Sequence, residues 1–368
     1  MKKNVLIISN GHGEDLIASN LAKELIKHNR IYNLSVIPLV GKGYAFKEIN
    51  IDPNLTNPSF PSGGFIRNIE DLYKDIMSGL VSHIMKQRKY IKQLGDKSNI
   101  CIAVGDVYCL WMAKAAKIKE VYFLPTAKSD TFMKHSLIEQ WLIKKVALKS
   151  YPRDQITTNT FQKLGLTAEF YGNVMMDNLV TDRKVISLTQ KEYLVGILPG
   201  SREEAYQNLA YCLKIADRLG KELKNIKFCL AISKTLDIDK VKKYSGWSTK
   251  KISNKTSVVE LNYNSNVLLT EDFLAVINQS NVIIGLAGTA NEQAAFLGKP
   301  VICFEGFGTQ STMQRFQEQQ KLMGKNIILC KKREIPLIVD QVKIHLKVSK
   351  NSIKNQSISK KIIKNILS

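Results

Sequence analysis

Several absences narrow the reading of this 368-residue chain before any motif does. None of the six cysteines (Cys101, Cys109, Cys212, Cys229, Cys303, Cys330) forms a CxxC pair, and the five histidines do not cluster with them. That pattern fits a reduced chain with buried thiols rather than a disulfide framework or a zinc site. No apolar run approaches the roughly 18–20 residues of a membrane span. The opening MKKNVLIISNGHGED has too short an apolar stretch for a signal-peptide core and predicts a first strand. Arginine is scarce, at 9 of 54 basic residues, and acids number only 32, so the formal charge is +22. RNA-recognition aromatics, a KH-type GxxG clamp and finger spacing are all missing, so nucleic acid is not an expected partner. The charge then reflects either a lysine-biased genome or an anionic membrane surface. Residues 331–368 hold ten Lys/Arg against two acids, and the helical pattern 69–94 adds Lys86, Arg88, Lys89 and Lys92.

What is present is alternation. Strand-like runs at Asn4–Ser9, Leu34–Leu39, Ile100–Val104 and Glu120–Leu124 are separated by helical spacing over 13–28, 69–94 and 108–117. The pattern restarts at Tyr193–Leu198 and continues through a helix at 203–222 and strands at 227–233, 281–286 and 300–304. Such βαβα order predicts parallel sheets covered by helices. The length suits two domains. They are expected at 1–175 and 176–345, followed by a basic tail or helix at 346–368. Residues 42–66 read as a long irregular loop of the kind that is often functional.

Three turns carry candidate chemistry. The first βα turn, Ser9-Asn10-Gly11-His12-Gly13-Glu14-Asp15, is either a tight turn with Glu14 and Asp15 complementing the helix dipole or a loop touching substrate through His12 or Glu14. The second-half opening, Leu198-Pro199-Gly200-Ser201-Arg202-Glu203-Glu204, predicts a capping box from Ser201 to Glu204 and an anion site at Gly200 and Arg202. The third, Ala287-Gly288-Thr289-Ala290-Asn291-Glu292-Gln293, repeats the small-residue helix start, with a carboxylate one turn in for ribose hydroxyls. Asp106, just past a strand, is placed for general-base work. Asp237-Ile238-Asp239 spells a DxD but sits in a lysine-rich stretch and reads as solvated surface, so no metal is expected.

Together these segments resemble the lipid-A-disaccharide synthase family, and most closely the branch of lipid-A-disaccharide synthase-related proteins. The resemblance runs over residues 4–330. It rests on GHGEDLIASNLAKEL, Gly105-Asp106, Trp141 through Tyr151-Pro152, YGNVMMD at 171–177, LPGSREE, and AGTANEQAAFLGKPVI. It implies a GT-B fold, two Rossmann-like domains facing each other across a cleft. It also implies an inverting, metal-independent and cofactor-free transfer of sugar from a UDP-sugar donor to a lipid or glycolipid acceptor. By this matching Asp106 is the base. Gly200, Ser201, Arg202, Gly288, Thr289, Glu292 and Gln293 line the nucleotide-sugar site, and Gly11, His12, Gly13 and Glu14 lie on the acceptor side. A cytoplasmic protein held peripherally on an anionic membrane follows. The chain departs from the family at the opening loop, which lacks the SGD triplet, and at Asn173, where the family has histidine. A UDP-sugar 2-epimerase of the same fold and a non-catalytic nucleotide-sugar or lipid binder are the alternatives.

Overall fold

A computed structural model of the chain describes residues 3–28, 31–40, 42–54, 80–131, 133–233, 236–237, 239–253, 256–260, 266–309, 311–346 and 357–368. The expected loop at 42–66 and the pattern at 69–94 therefore lie partly outside the described residues. The chain divides into two units, Met1–Asp177 with Ser357–Ser368, and Asn178–Gln356.

The first unit holds a five-stranded sheet in the order β2-β1-β3-β4-β5, with every pairing parallel. Its strands are β1 (Lys3–Ser9), β2 (Ile31–Pro38), β3 (Ile100–Gly105), β4 (Glu120–Pro125) and β5 (Lys149–Ser150). Helices α1 (His12–Ile26), α2 (Tyr44–Lys47), α3 (Leu80–Gly95), α4 (Val107–Ala115), α5 (Leu137–Val146) and α6 (Gln155–Lys163) follow in chain order. β3 is buried at every position, as its unbroken apolar run ICIAVG requires of a strand covered on both faces. One core, with Ile17, Leu21 and Leu25 of α1 against Val5, Ile7 and Ile102, covers one side of the sheet. The other side packs Leu6, Ile8 and Phe123 under Leu110 and Phe161.

The second unit carries an eight-stranded sheet in the order β13-β12-β11-β6-β7-β10-β9-β8. Six strands are parallel: β6 (Tyr193–Leu198), β7 (Ile226–Ala231), β10 (Asn266–Thr270), β11 (Val282–Gly285), β12 (Val301–Phe304) and β13 (Ile327–Cys330). The expectation of parallel sheets fails at one edge, where β8 (Thr249–Ser253) and β9 (Thr256–Glu260) add an antiparallel hairpin. Its two-residue connection is too short for a parallel crossover. Helices α7 (Ala205–Glu222), α8 (Asp239–Ser245), α9 (Phe273–Gln279), α10 (Thr289–Phe296), α11 (Met313–Met323) and α12 (Ile335–His345) complete the unit.

After the second unit the chain returns. Helix α13 (Ile358–Leu367) buries Ile358, Ile362, Ile363, Ile366 and Leu367 in the α1 side of the first unit's core. All six cysteines are buried and free.

Candidate functional site

In both sheets the strand order reverses once. The first sheet runs from β1 to β2 on one side and from β3 onward on the other, so its switch point lies between β1 and β3. In the second sheet β6 leads to β7 and β10 one way, and β11, β12 and β13 continue the other way. Its switch point lies between β6 and β11. Open α/β sheets bind ligands at such points, outside the carboxyl ends of the strands. Gly11–Glu14 and Asp106 follow β1 and β3. Gly200–Arg202 and Gly288–Thr289 follow β6 and β11. Each unit thus brings its own candidate residues together at its own switch point.

In the first unit the chain turns out of β1 through Gly11, at φ 127°, where an added Cβ would lie 2.6 Å from Glu14 Oε2. Glycine is needed there on both counts. Gly105, at φ 136°, likewise leaves room for the Glu14 side chain, 3.4 Å from where its Cβ would stand. His12 and Gly13 begin α1. Asp106 is the N-cap of α4, and its carboxylate accepts from Tyr108 N–H at 2.9 Å. Burial raises its pKa, against hydrogen bonds from Tyr108 N–H, the Asn10 side chain and Cys109 N–H that favour the charged form. Glu14 is raised too, first by burial and further by the Asp106 charge, while Arg153 opposes the shift. Two carboxyl groups and one guanidinium therefore share this switch point.

Other residues crowd it. Lys128, His135 and Glu139 line a small cavity with Gly105, Asp106, Val107 and Phe123. Lys128 Nζ donates to Glu139 at 2.6 Å, and Glu139 completes a capping box with Ser136 at the start of α5. His135 Nδ1 meets Asp130 Oδ1 at 2.8 Å, both side chains almost fully buried. Arg153 Nη1 donates to Thr126 O at 3.3 Å. Sequence reasoning missed Arg153, Lys128 and His135, which arrive on loops after β4 and β5 and carry no local motif. Asp15, read from the sequence as one of two acids complementing the α1 dipole, lies beside Glu14. It accepts from Ser9 Oγ at 2.5 Å, and burial, with the Glu14 charge adding, pushes its pKa up to about 7.

The second unit corrects one expectation. Helix α7 begins at Ala205 with Glu204 at its N-cap, so Ser201 does not stand at the N-cap position that the capping-box reading gave it. Gly200–Glu204 is a turn instead, and Glu204 packs where a Cβ on Gly308 would stand. The buried Asn208 fixes that turn. Its Nδ2 donates to Pro199 O at 3.2 Å and Ser311 Oγ at 3.1 Å, and its Oδ1 accepts from Phe307 N–H at 2.7 Å. Ser201 is exposed and Arg202 half-buried. Across the switch point Gly288 caps α10, with no atom within 4 Å of where its Cβ would stand. Gln319 of α11 holds the turn by donating to Ala287 O at 3.3 Å and Gly288 O at 2.9 Å. Thr289 begins α10, whose Glu292 and Gln293 are buried. Asn208 and Gln319 left a readable trace, each being a polar residue at a core-facing helical position.

Asp237 and Asp239 are exposed, and Asp237 Oδ1 accepts from Asp239 N–H at 2.9 Å at the start of α8. Ile238 lies outside the described residues. Among the described residues no group of three or more His, Cys, Asp or Glu is placed to hold a metal, and no helix is long and apolar enough to cross a membrane.

The sequence matches no family model and no curated protein. Solved structures do share its fold. The S. aureus MnaA–UDP co-structure aligns with TM-score 0.60 at 12% identity, covering 99% of this chain and 96% of that one. UDP-GlcNAc 2-epimerase from Methanocaldococcus jannaschii gives TM-score 0.61 at 14% identity, covering 99% of both chains. The glycotransferase of kitacinnamycin gives 0.61 at 12%, covering 100% of this chain and 94% of that one. The chain therefore has the GT-B type of α/β fold, built from two Rossmann-like units.

Proposed function

We propose that the chain is an enzyme acting on a UDP-sugar, and that its reaction is epimerisation at C2. The observation that carries this reading is the placement of two carboxyl groups, Glu14 and Asp106, at one switch point, both raised by burial. Removing the C2 proton from one face is balanced by departure of UDP from C1 as the electron pair forms a C1–C2 double bond. Return of UDP to C1, with a proton delivered to the other face of C2, completes the inversion. That needs an acid and a base together, and two carboxyl groups at one switch point can supply both. Asp106, whose anion accepts two N–H bonds and one from Asn10, is the base, and Glu14 is the acid. The second unit binds the nucleotide, with the diphosphate at the Gly200–Arg202 turn and the Gly288–Thr289 helix start. Structures that share the fold at full length support the choice, since several are UDP-GlcNAc 2-epimerases and two hold UDP.

A second reading is sugar transfer to a lipid or glycolipid acceptor, as in lipid-A-disaccharide synthase. The motif LPGSREE favours it, and transfer with inversion would need only Asp106 as base, with no need of Glu14 as an acid. The test is incubation with UDP-GlcNAc in heavy water, with and without membrane lipid. Epimerisation yields UDP-ManNAc carrying deuterium at C2 in both arms. Transfer yields a new glycolipid only in the lipid arm and leaves C2 unlabelled, which would overturn the first reading. UDP affinity with neither product would leave a binding protein.

A further inference from the structure

The His135 ring is held from several sides and open on one. Its Nδ1 meets Asp130 Oδ1 at 2.8 Å, and its backbone N–H donates to the same oxygen at 3.1 Å. Its carbonyl accepts from Gln140 Nε2 at 2.7 Å, and the ring meets Phe161 edge-on, with centroids 4.9 Å apart. Asp130 is fixed in turn. Its backbone N–H donates to Thr157 Oγ1 at 2.9 Å, and that hydroxyl donates to Asp154 at 3.0 Å. A carboxylate only accepts, so the bond to Asp130 places the ring proton on Nδ1 and leaves a lone pair on Nε2. Nε2 has no hydrogen-bond partner among the described residues, and the ring lines one small cavity with Asp106, Lys128 and Glu139. That cavity, about 10 Å³, has room for about one water. Its wall reaches the surface at Lys128 and Glu139, whose side chains are 26% and 13% exposed.

We propose that His135, oriented by Asp130, relays to water the proton that Asp106 takes in each turnover. The relay rests on Asp106 being the base, which epimerisation and sugar transfer share. Burial holds Asp106 above the ordinary carboxylate range, so once protonated it needs an acceptor before it can serve again. The proton passes from the Asp106 carboxyl through one water to Nε2, and the imidazolium so formed carries its charge against the Asp130 carboxylate. It then leaves to water where the cavity meets the surface, which restores neutral His135 and ionised Asp106. In epimerisation Glu14 regains from water one proton for each that leaves by this route. In transfer the departing proton is that of the acceptor hydroxyl. The other groups on the cavity fit worse. Burial would raise Glu139, but its bonds with Lys128 and Ser136 hold it below its ordinary range, so it takes up a proton poorly. Charged Lys128 has no lone pair to offer. His135 acts through Asp106 and is a positioning residue rather than a catalytic one.

The test sets His135→Asn beside Asp106→Asn and the wild type, as full chains, on UDP-GlcNAc with and without membrane lipid. Asparagine keeps a donor for Asp130 near the place of Nδ1 and removes Nε2. Steady-state turnover of His135→Asn in dilute phosphate should fall roughly tenfold or more, less than for loss of the base itself. The loss should be absent from the first turnover measured with enzyme in excess. Added imidazole should restore the steady state in proportion to its concentration, which a packing defect would not show. Nitrogen NMR of histidine-labelled protein gives a readout that needs no turnover. The His135 resonances, assigned through His135→Asn or His135→Gln, should report Nδ1–H in the wild type, and their pH response should shift in Asp106→Asn. Wild-type steady-state turnover in His135→Asn, or a loss that imidazole leaves untouched, would overturn the relay and leave Asp106 as base. Near-normal turnover in Asp106→Asn would overturn the base and the relay together. An Nε2–H tautomer in the wild type, or a pH response unaltered in Asp106→Asn, would overturn the relay whichever reaction runs.

Discussion

Asp177 and Ser359 lie 182 residues apart, and the carboxylate of the first caps the helix that contains the second. Asp177 accepts from Ile358 N–H and Ser359 N–H at 2.7 Å each, and from the Ser359 hydroxyl. Ser357, the residue at the cap position of α13, supplies no side-chain bond of its own. Asp177→Ala should therefore strand buried donors, at a cost of about 1–3 kcal/mol. Hydrogen exchange followed by mass spectrometry should show faster exchange across 358–367. Unchanged exchange there would mean that the apolar face of α13 holds the helix without its cap.

Asp106→Asn should separate chemistry from folding. The amide oxygen can still accept from Tyr108 N–H, so the cap of α4 and the melting temperature should persist. Turnover should fall by about 100–10,000-fold, the usual worth of a general base. Asp106→Ala should lose the same activity and about 1 kcal/mol of stability besides. Near-normal turnover in the Asn variant would remove Asp106 from the chemistry.

Arg202→Ala should weaken UDP binding without disturbing the fold, because Arg202 lies in a half-exposed turn and the backbone there is held by Asn208. Losing a charge-assisted contact to a diphosphate costs on the order of 1.5–3 kcal/mol. Calorimetric titration should then show affinity down at least tenfold. An unchanged dissociation constant would place the diphosphate elsewhere.

Asp15 should make stability depend on pH. Its folded pKa, about 7, lies above the ordinary 3.8, so the folded state holds the proton longer than the unfolded chain does. The resulting stabilisation is complete below about pH 4 and is lost as pH rises through 7, by on the order of 4 kcal/mol. Asp15→Asn cannot ionise and keeps an oxygen for Ser9. Melting curves between pH 5 and pH 8 should fall for the wild type and flatten for the variant. Parallel curves would assign the pH dependence to other groups.

The sequence shows the two-unit α/β plan because each buried parallel strand leaves an unbroken apolar run, and each covering helix a 3.6-residue period. The candidate turns are visible for the same local reason, since Gly11, Gly200 and Gly288 follow such runs directly. The start of α7 is misread because Ser201 and Glu204 have capping-box spacing, yet the chain uses those residues to turn and to meet Gly308. Arg153, Lys128 and the His135–Asp130 pair are illegible, since only the order of the strands brings their loops to Asp106. The isoleucine spacing of α13 is plain in the sequence. The surface it covers is not, because Asp177 and the α1 side of the core lie nearly the whole second unit away.

The placement of α13 also sets an order of events during synthesis. Domains commonly fold as they emerge, the N-terminal one first. Here the first unit emerges with one side of its core uncovered, and the isoleucines that cover it leave the ribosome only after all of residues 178–356. The second unit has every strand it needs by then. The half of the protein that is made first is therefore the half completed last, and a nascent chain stalled within the second unit exposes the apolar groove along α1 that α13 is built to fill.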